Sequence, residues 1–185
     1  MFLKVFKEEL SNARIDISVH VEKRGESSFL YSLLYFLTCH GLHMVLLFRL
    51  GKIIYAIPVP ILSHIFKVLY RLTFFILSTL YGISLNPISK IGPGFYIGHY
   101  GGIFIRGEFG AYCSISQGVT FGSKGAGKSS GWPIVGDYVY VGAGAKVIGA
   151  ISIGNNVIIG ANAVVVKDVP DNSLAVGIPA KLHIR

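Results

Sequence analysis

Large apolar residues recur every six positions through the second half of the chain. The series is interrupted once, and its members are Leu85, Ile91, Ile97, Ile103, Phe109, Ile115, Phe121, Val135, Val141, Val147, Ile153, Ile159 and Val165. A helix repeats at about 3.6 residues and an ordinary strand at about two, so a period of six predicts short strands joined by tight turns. Three hexads would form one coil of a three-sided parallel β-helix with these side chains inside.

The residues two positions before the large apolar ones are often small or β-branched, and we expect them to point inward as well. They include Cys113, Val119, Val139, Ala145, Val157 and Ala163. By this rule Cys113 belongs to the core and is a poor nucleophile. Cys39, which stands in an apolar and helical stretch, is interpreted in the same way.

The first 81 residues follow a different pattern, with only three of the 23 glycines of the chain. Residues 29–48, 53–66 and 72–89 contain no Asp, Glu, Lys or Arg, and Pro58 and Pro60 interrupt the middle. This pattern predicts apolar helices that pack within an oligomer or lie on a membrane, and membrane-spanning helices are the alternative. We therefore divide the chain into an α-helical region, residues 1–82, and a β-helix domain, residues 83–185.

The composition of the chain excludes several classes of protein. The chain is 52% hydrophobic and 14% charged, which excludes a disordered protein. Its net charge of +8 comes from scattered basic residues, which argues against a nucleic-acid groove and favours an anionic membrane surface or co-substrate. The two cysteines give neither a disulfide framework nor a zinc pattern. We expect no metal, and a cytoplasmic protein with peripheral contact to the inner face of the membrane.

Residues 122–133 interrupt the hexads with the sequence GSKGAGKSSGWP. Gly122, Gly127, Lys128 and Ser129 match the letters of a phosphate-binding loop. Such a loop must lead directly into a helix, whereas the hexads resume here at Val135. We therefore interpret residues 122–133 as an extruded loop between coils and reject nucleotide hydrolysis.

Several segments resemble the hexapeptide-repeat acyltransferases, and most of all the serine O-acetyltransferases and their relatives in polysaccharide biosynthesis. They include KIGPGFYIGHYGGI (residues 90–103), VGAGAKVIGAISIG (141–154) and IGANAVVVKDVPDNSLAVGIPAKL (159–182). The resemblance implies a left-handed β-helix, a homotrimer and acetyl-CoA as co-substrate.

His99 is the expected catalytic residue. It stands two positions after the inward Ile97, which places it on a corner of the prism, and Gly98, Gly101 and Gly102 leave room for a ligand. The resemblance assigns the general base of the family to this histidine, which would remove the proton from an acceptor hydroxyl during direct acetyl transfer.

The resemblance also implies binding residues. For acetyl-CoA they are Ala143 and Ala161, which are one coil apart, together with Lys167 and, for a phosphate, Lys181. For the acceptor they are Tyr100 and Trp132, whose rings would stack on a sugar, and Glu26.

The chain departs from the serine enzymes at the acceptor. Ser84 replaces the aspartate that orients their histidine, and Gly98, Gly131 and Trp132 replace an aspartate and an Arg-His pair that bind the amino acid. Because a zwitterion needs charged partners, we expect a saccharide or glycan acceptor, with L-serine as the alternative. A β-helix without catalysis, serving assembly or membrane docking, is the second alternative.

Overall fold

The computed structural model describes residues 1–23, 36–125 and 131–184. Three long helices precede the β-region: α1 (Phe2–Glu22), α2 (His40–Tyr55) and α3 (Pro60–Tyr81). Pro60 stands in the first turn of α3, where its missing N–H leaves no hydrogen bond unmade. Gly82 ends α3 in the left-handed conformation, and β1 begins at the next residue.

Short parallel strands then wind into a three-sided β-helix. Sheet 1 consists of β1 (Ile83–Leu85), β4 (Ile103–Ile105), β7 (Thr120–Gly122), β10 (Lys146–Ile148) and β13 (Val164–Val165). Sheet 2 consists of β2 (Lys90–Ile91), β5 (Glu108–Phe109), β8 (Ile134–Val135) and β11 (Ser152–Ile153). Sheet 3 consists of β3 (Tyr96–Ile97), β6 (Ser114–Ile115), β9 (Tyr140–Val141), β12 (Ile158–Ile159) and β14 (Ser173–Val176), followed by the antiparallel β15 (Lys181–Ile184).

The core of the β-helix is the one that the six-residue period predicts. All thirteen large apolar residues of the series are buried, and so are the six smaller residues two positions before them. Each coil stacks its side chains on the next, as the strand register shows at Ile97, Ile115 and Val141. The prediction of inward-facing side chains at both positions is confirmed.

The register departs from the hexad pattern in the coil that contains His99. Ile83 pairs with Ile103, 20 residues later, and Phe104 pairs with Thr120, only 16 residues later. The turn between β3 and β4 is therefore two residues longer than the corresponding turn of a regular coil, and the turn between β4 and β5 is two residues shorter. As a result Ile105, and not Ile103, aligns with Leu85. The additional residues lie in the segment that contains His99.

The helices are joined to the β-helix by buried polar contacts. Arg49 of α2 donates hydrogen bonds to Asp16 of α1 at 2.9 Å and to the carbonyl of Ile91 in β2 at 2.6 Å. Glu9 forms a further ion pair with Arg49 at 3.3 Å. These groups are largely buried, and an unpaired charge there would be costly, so α1, α2 and β2 depend on one another. The helical region and the β-helix share one hydrophobic core.

Candidate functional site

The turn between β3 and β4 presents His99 to solvent. His99 and Tyr100 are exposed, as the corner position predicts, whereas Ile97 is fully buried. Gly101 and Gly102 follow with φ values of +96° and +67°, a conformation that residues with a side chain rarely adopt. The glycines of this segment therefore allow the two additional residues to project His99 outward.

A cavity of about 250 Å³ opens beside His99. Its walls come from the turn and from the start of α2, and consist of Thr38, Cys39, His40, Gly41, Gly98, His99 and Tyr100. The ring of His40 packs against Tyr100, with 4.7 Å between centroids, and against Tyr81, with 4.4 Å. A larger cavity of about 460 Å³ lies between α2 and α3, but His99 does not line it.

Sequence reasoning missed Cys39 and His40 at this cavity. Both precede His99 by about 60 residues, and their only signal was an apolar segment that predicts a helix. The position of α2 depends on Gly41, because a Cβ atom there would stand 2.2 Å from the carbonyl oxygen of Ile97. Cys39 is buried, as predicted, yet it also lines the cavity.

The His99 ring has no hydrogen-bond partner among residues 1–23, 36–125 and 131–184, and no carboxylate from these ranges lines its cavity. Ser84, at the position that the resemblance gives to an orienting aspartate, lies in β1 opposite Phe104. Among the described residues that line this cavity, His40 is the second histidine.

One edge of the prism carries His99, Ala143 and Ala161. Backbone hydrogen bonds connect successive turns along this edge: Gly118 N–H to Gly101 O at 2.9 Å, Gly144 N–H to Gln117 O at 2.8 Å, and Asn162 N–H to Ala143 O at 2.8 Å. We call it the His99 edge. Ala161 is exposed and Ala143 half-buried, so two small, accessible side chains stand one coil apart on this edge.

The edge between sheets 1 and 2, which we call the loop edge, carries other predicted residues. Lys167 lies there, exposed, beside the carbonyl of Val166 that accepts a hydrogen bond from Lys124 at 3.2 Å. Trp132 also lies there. Lys181 is exposed in β15, opposite Val176. Within one chain the structure thus brings Ala143 and Ala161 to the edge of His99, and Lys167 and Trp132 to a different edge.

Trp132 lines a cavity of about 390 Å³ together with charged residues that sequence reasoning missed. The guanidinium carbon of Arg106 lies 3.8 Å from the centroid of the Trp132 ring. Arg106 has no hydrogen bond or ion pair with another described residue. Glu108 also lines the cavity, and Lys90 donates a hydrogen bond to it at 2.7 Å. Gly131 and Trp132 supply no charge themselves, but the short turn after β4 places Arg106 against the indole, and the sequence did not indicate this contact.

The thiol of Cys113 is fully buried and donates a hydrogen bond to the carbonyl of Gly136 at 3.3 Å. Burial raises the pKa of Cys113 to about 11, so the thiolate is scarce at neutral pH. The prediction that Cys113 is a core residue is confirmed. The described ranges contain no group of three or more His, Cys, Asp or Glu residues that could hold a metal ion.

Two of the predicted features lie outside the described residues. These are Glu26, the third candidate for the acceptor, and residues 126–130 of the extruded loop, which include most of the phosphate-loop-like motif.

Comparisons with known proteins agree with this architecture. The family described as bacterial transferase hexapeptide (six repeats) matches residues 133–167. A serine acetyltransferase of Synechococcus elongatus is 40% identical over 155 residues, which cover 80% of this chain and 59% of the relative. A serine acetyltransferase of Helicobacter pylori is 43% identical over 143 residues, which cover 76% of this chain and 80% of the relative. The chain thus spans less than two thirds of the Synechococcus protein.

A solved structure shows the same fold. The serine acetyltransferase of Brucella abortus in complex with coenzyme A superposes with a TM-score of 0.81 at 26% identity, covering 98% of this chain and 70% of that one. The predicted fold, a left-handed parallel β-helix after a helical region, is confirmed. The comparisons name serine acetyltransferases, and none of those described names a polysaccharide enzyme.

Proposed function

Because the chain belongs to the hexapeptide-repeat acyltransferase family, and the similar serine acetyltransferase of Brucella abortus was solved with coenzyme A, we propose that it moves an acetyl group from acetyl-CoA to a hydroxyl group with His99 as general base. The observation that carries this proposal is the place of His99, exposed on the same edge of the prism as Ala143 and Ala161. The small side chains leave room for an extended pantetheine arm that would deliver its thioester to His99.

The proposed reaction needs one base. The imidazole of His99 accepts the proton of the acceptor hydroxyl while the hydroxyl oxygen attacks the thioester carbonyl. The tetrahedral intermediate then collapses, the C–S bond breaks, and the imidazolium returns the proton to the coenzyme A thiolate. Burial of Cys113 favours this direct transfer over an acyl-cysteine route.

We propose a homotrimer in which the His99 edge of one subunit faces the loop edge of the next. The support for this trimer is geometric, because the candidate residues for a single reaction lie on two different edges of the same chain. Trp132, Arg106 and Lys167 lie on the loop edge, and His99 lies on the other. A site between subunits would bring both sets to one substrate.

We propose L-serine as the first acceptor to test. The relatives named above are serine acetyltransferases, which supports serine better than the saccharide favoured by the sequence. The cavity at Trp132 adds chemical support, since Arg106 offers a guanidinium to a carboxylate and Glu108 a carboxylate to an ammonium group. These two charges would replace the family residues that this chain lacks at Gly98 and Gly131.

A saccharide hydroxyl is the second candidate acceptor. It is favoured by the cavity at His99, which has no carboxylate or cation of the Lys or Arg type among its described walls. The exposed ring of Tyr100 and the ring of Trp132 offer faces on which a sugar would stack.

The test is a thiol-release assay with acetyl-CoA and, in turn, L-serine, simple sugars and nucleotide sugars. We expect turnover with L-serine, and a higher KM for it in Arg106→Gln with little change in the KM for acetyl-CoA. Arg14→Gln, on the exposed surface of α1, is the matched control and should behave as the wild type. Turnover of a sugar but not of serine would select the second acceptor. Binding of acetyl-CoA without turnover of any acceptor would favour the non-catalytic alternative.

A further inference from the structure

Helix α3 is apolar on the side that faces away from the protein. Its only buried residues are Ser63 and Tyr70, which lie on the side packed against α2. The exposed apolar side chains keep between 40% and 79% of their surface accessible, and they are Ile61, Leu62, Ile65, Phe66, Val68, Leu69, Leu72, Phe75, Ile76 and Leu80. A helix on the surface of a soluble monomer normally places polar residues there. This exposed apolar face requires a partner.

The charged side chains of α3 and of the sequence around it are basic. The sequence contains no Asp or Glu between Glu26 and Glu108, and α3 carries His64, Lys67 and Arg71. At 100° per residue these three fall on one flank, between the side packed on α2 and the exposed apolar face.

Tyr55 of α2 holds two of these cations in place. Arg71 donates a hydrogen bond from Nε to the Tyr55 hydroxyl at 3.1 Å, and Lys67 Nζ lies 5.3 Å from the centroid of the Tyr55 ring. The flank is therefore a positioned row of positive charge along an apolar surface, the arrangement that complements anionic headgroups above acyl chains.

The packing of α3 favours a helix in the plane of the membrane over one that crosses it. With 22 residues, α3 is the one helix in the described ranges that is long and apolar enough to span a bilayer. However, Tyr70 packs against Gly51 of α2, and the carbonyls of Tyr81 and Gly82 accept hydrogen bonds from Gly101 of the His99 turn and from Ile103 of β4. A crossing helix would have to give up these contacts.

We propose that α3 binds the surface of an anionic lipid bilayer, with its exposed apolar face at the boundary of headgroups and acyl chains and with Lys67 and Arg71 against the headgroups. The His99 turn, which hydrogen-bonds to the end of α3, is then held close to the bilayer. Binding to the bilayer would determine where the enzyme acts, and it does not depend on which acceptor the enzyme uses.

The test is co-sedimentation of the full chain with vesicles of phosphatidylcholine and with vesicles that also contain phosphatidylglycerol. We expect binding to the anionic vesicles that weakens as salt is added. The double variant Leu72→Ser, Phe75→Ser should bind at least about tenfold more weakly, because it removes two large apolar side chains from the face that would be buried among the acyl chains. Ile184→Ser, which changes a still more exposed apolar residue in β15, should bind like the wild type.

A second variant separates charge from apolar contact. Lys67→Gln, Arg71→Gln should lose the preference for anionic vesicles, and circular dichroism checks that it is folded. Three results would overturn the proposal: equal binding by the Leu72, Phe75 variant and the wild type, association of lipid-free subunits that is lost in that variant, and resistance of bound protein to alkaline carbonate, which indicates a spanning helix.

Discussion

The Nε2 atom of His20 accepts a hydrogen bond from the backbone N–H of Ile97 at 3.4 Å, two residues before His99. Its other ring nitrogen, Nδ1, then carries the proton and donates it to the carbonyl of Asp16 at 2.7 Å. The ring is fully buried and lies 4.7 Å from the ring of Tyr96. Helix α1 thus supports the strand that leads to the proposed base through a histidine that must remain neutral.

We predict that this contact makes stability depend on pH. Burial lowers the pKa of His20 to about 4 from an ordinary value of 6.5. The unfolded chain therefore takes up the proton first, so the contribution of His20 is complete above about pH 6.5 and declines as the pH falls towards 4. The loss across this window is on the order of 3 kcal/mol. Unfolding by denaturant at several pH values measures it.

The control for this prediction is His20→Gln, whose side-chain oxygen can still accept from Ile97 but does not titrate. Glu9 and Asp16 are present in both proteins, so the difference between the two unfolding free energies isolates His20. That difference should shift in favour of the variant as the pH falls, and an unchanged difference would contradict the assignment.

His99→Ala should lower the rate of acetyl transfer by about 10²- to 10⁴-fold, because the general base is lost. Since His99 is exposed and its ring has no hydrogen-bond partner in the described ranges, thermal stability and acetyl-CoA affinity should change little. A thiol-release assay measures the rate, calorimetric titration the affinity for acetyl-CoA, and thermal unfolding the stability. His183→Ala, at an exposed histidine of β15, is the control, and retention of more than half the wild-type rate by His99→Ala would remove His99 from the mechanism.

Trp132→Ala should raise the KM for the acceptor by about 2- to 10-fold, the range expected for loss of an aromatic contact. The same change frees Arg106 from the ring on which it now lies, at 3.8 Å. Trp132→Phe should restore most of the acceptor affinity, and the KM for acetyl-CoA should stay constant in both variants. An equal rise in both KM values would show that Trp132 shapes the coenzyme site instead.

Gly41→Ala should destabilise the protein by about 1–3 kcal/mol and reduce activity, because the added methyl group would collide with the backbone of Ile97. Helix α2 would move away from β3, and with it His40 and the wall of the His99 cavity. Gly122→Ala is the matched control, since a Cβ atom there finds its nearest neighbour at 3.6 Å. Thermal unfolding and steady-state rates measure both variants, and equal stability would contradict the close contact.

Mixing two impaired variants, assayed at an acceptor concentration below the wild-type KM, should test the proposed site between subunits. The first variant is His99→Ala, and the second is the double variant Trp132→Ala, Arg106→Gln. They change different edges, so a mixed trimer contains some interfaces in which both edges are intact. We expect co-expression to restore part of the activity, and sedimentation velocity to give a trimer. Failure to regain any activity in mixed trimers, or an active monomer, would show that each chain acts alone.

The sequence by itself determined the β-helix and the outward position of His99. Both follow from a six-residue pattern that each hexad shows by itself and that is repeated many times, so one irregular hexad does not change the prediction for the others. The same rule assigned Cys113 to the core, because the residue two before each large apolar side chain must also point inward.

Only the tertiary structure decided what surrounds these residues. The longer turn at His99 and the shorter one after β4 cancel within one coil, so the six-residue period continues unbroken although Ile105 has replaced Ile103 in the ladder. Contacts such as Arg49 with Ile91, His40 with Tyr100 and Arg106 with Trp132 join residues that are between 26 and 60 positions apart. No local pattern encodes such pairs, because they arise only when each coil and helix is packed against the next.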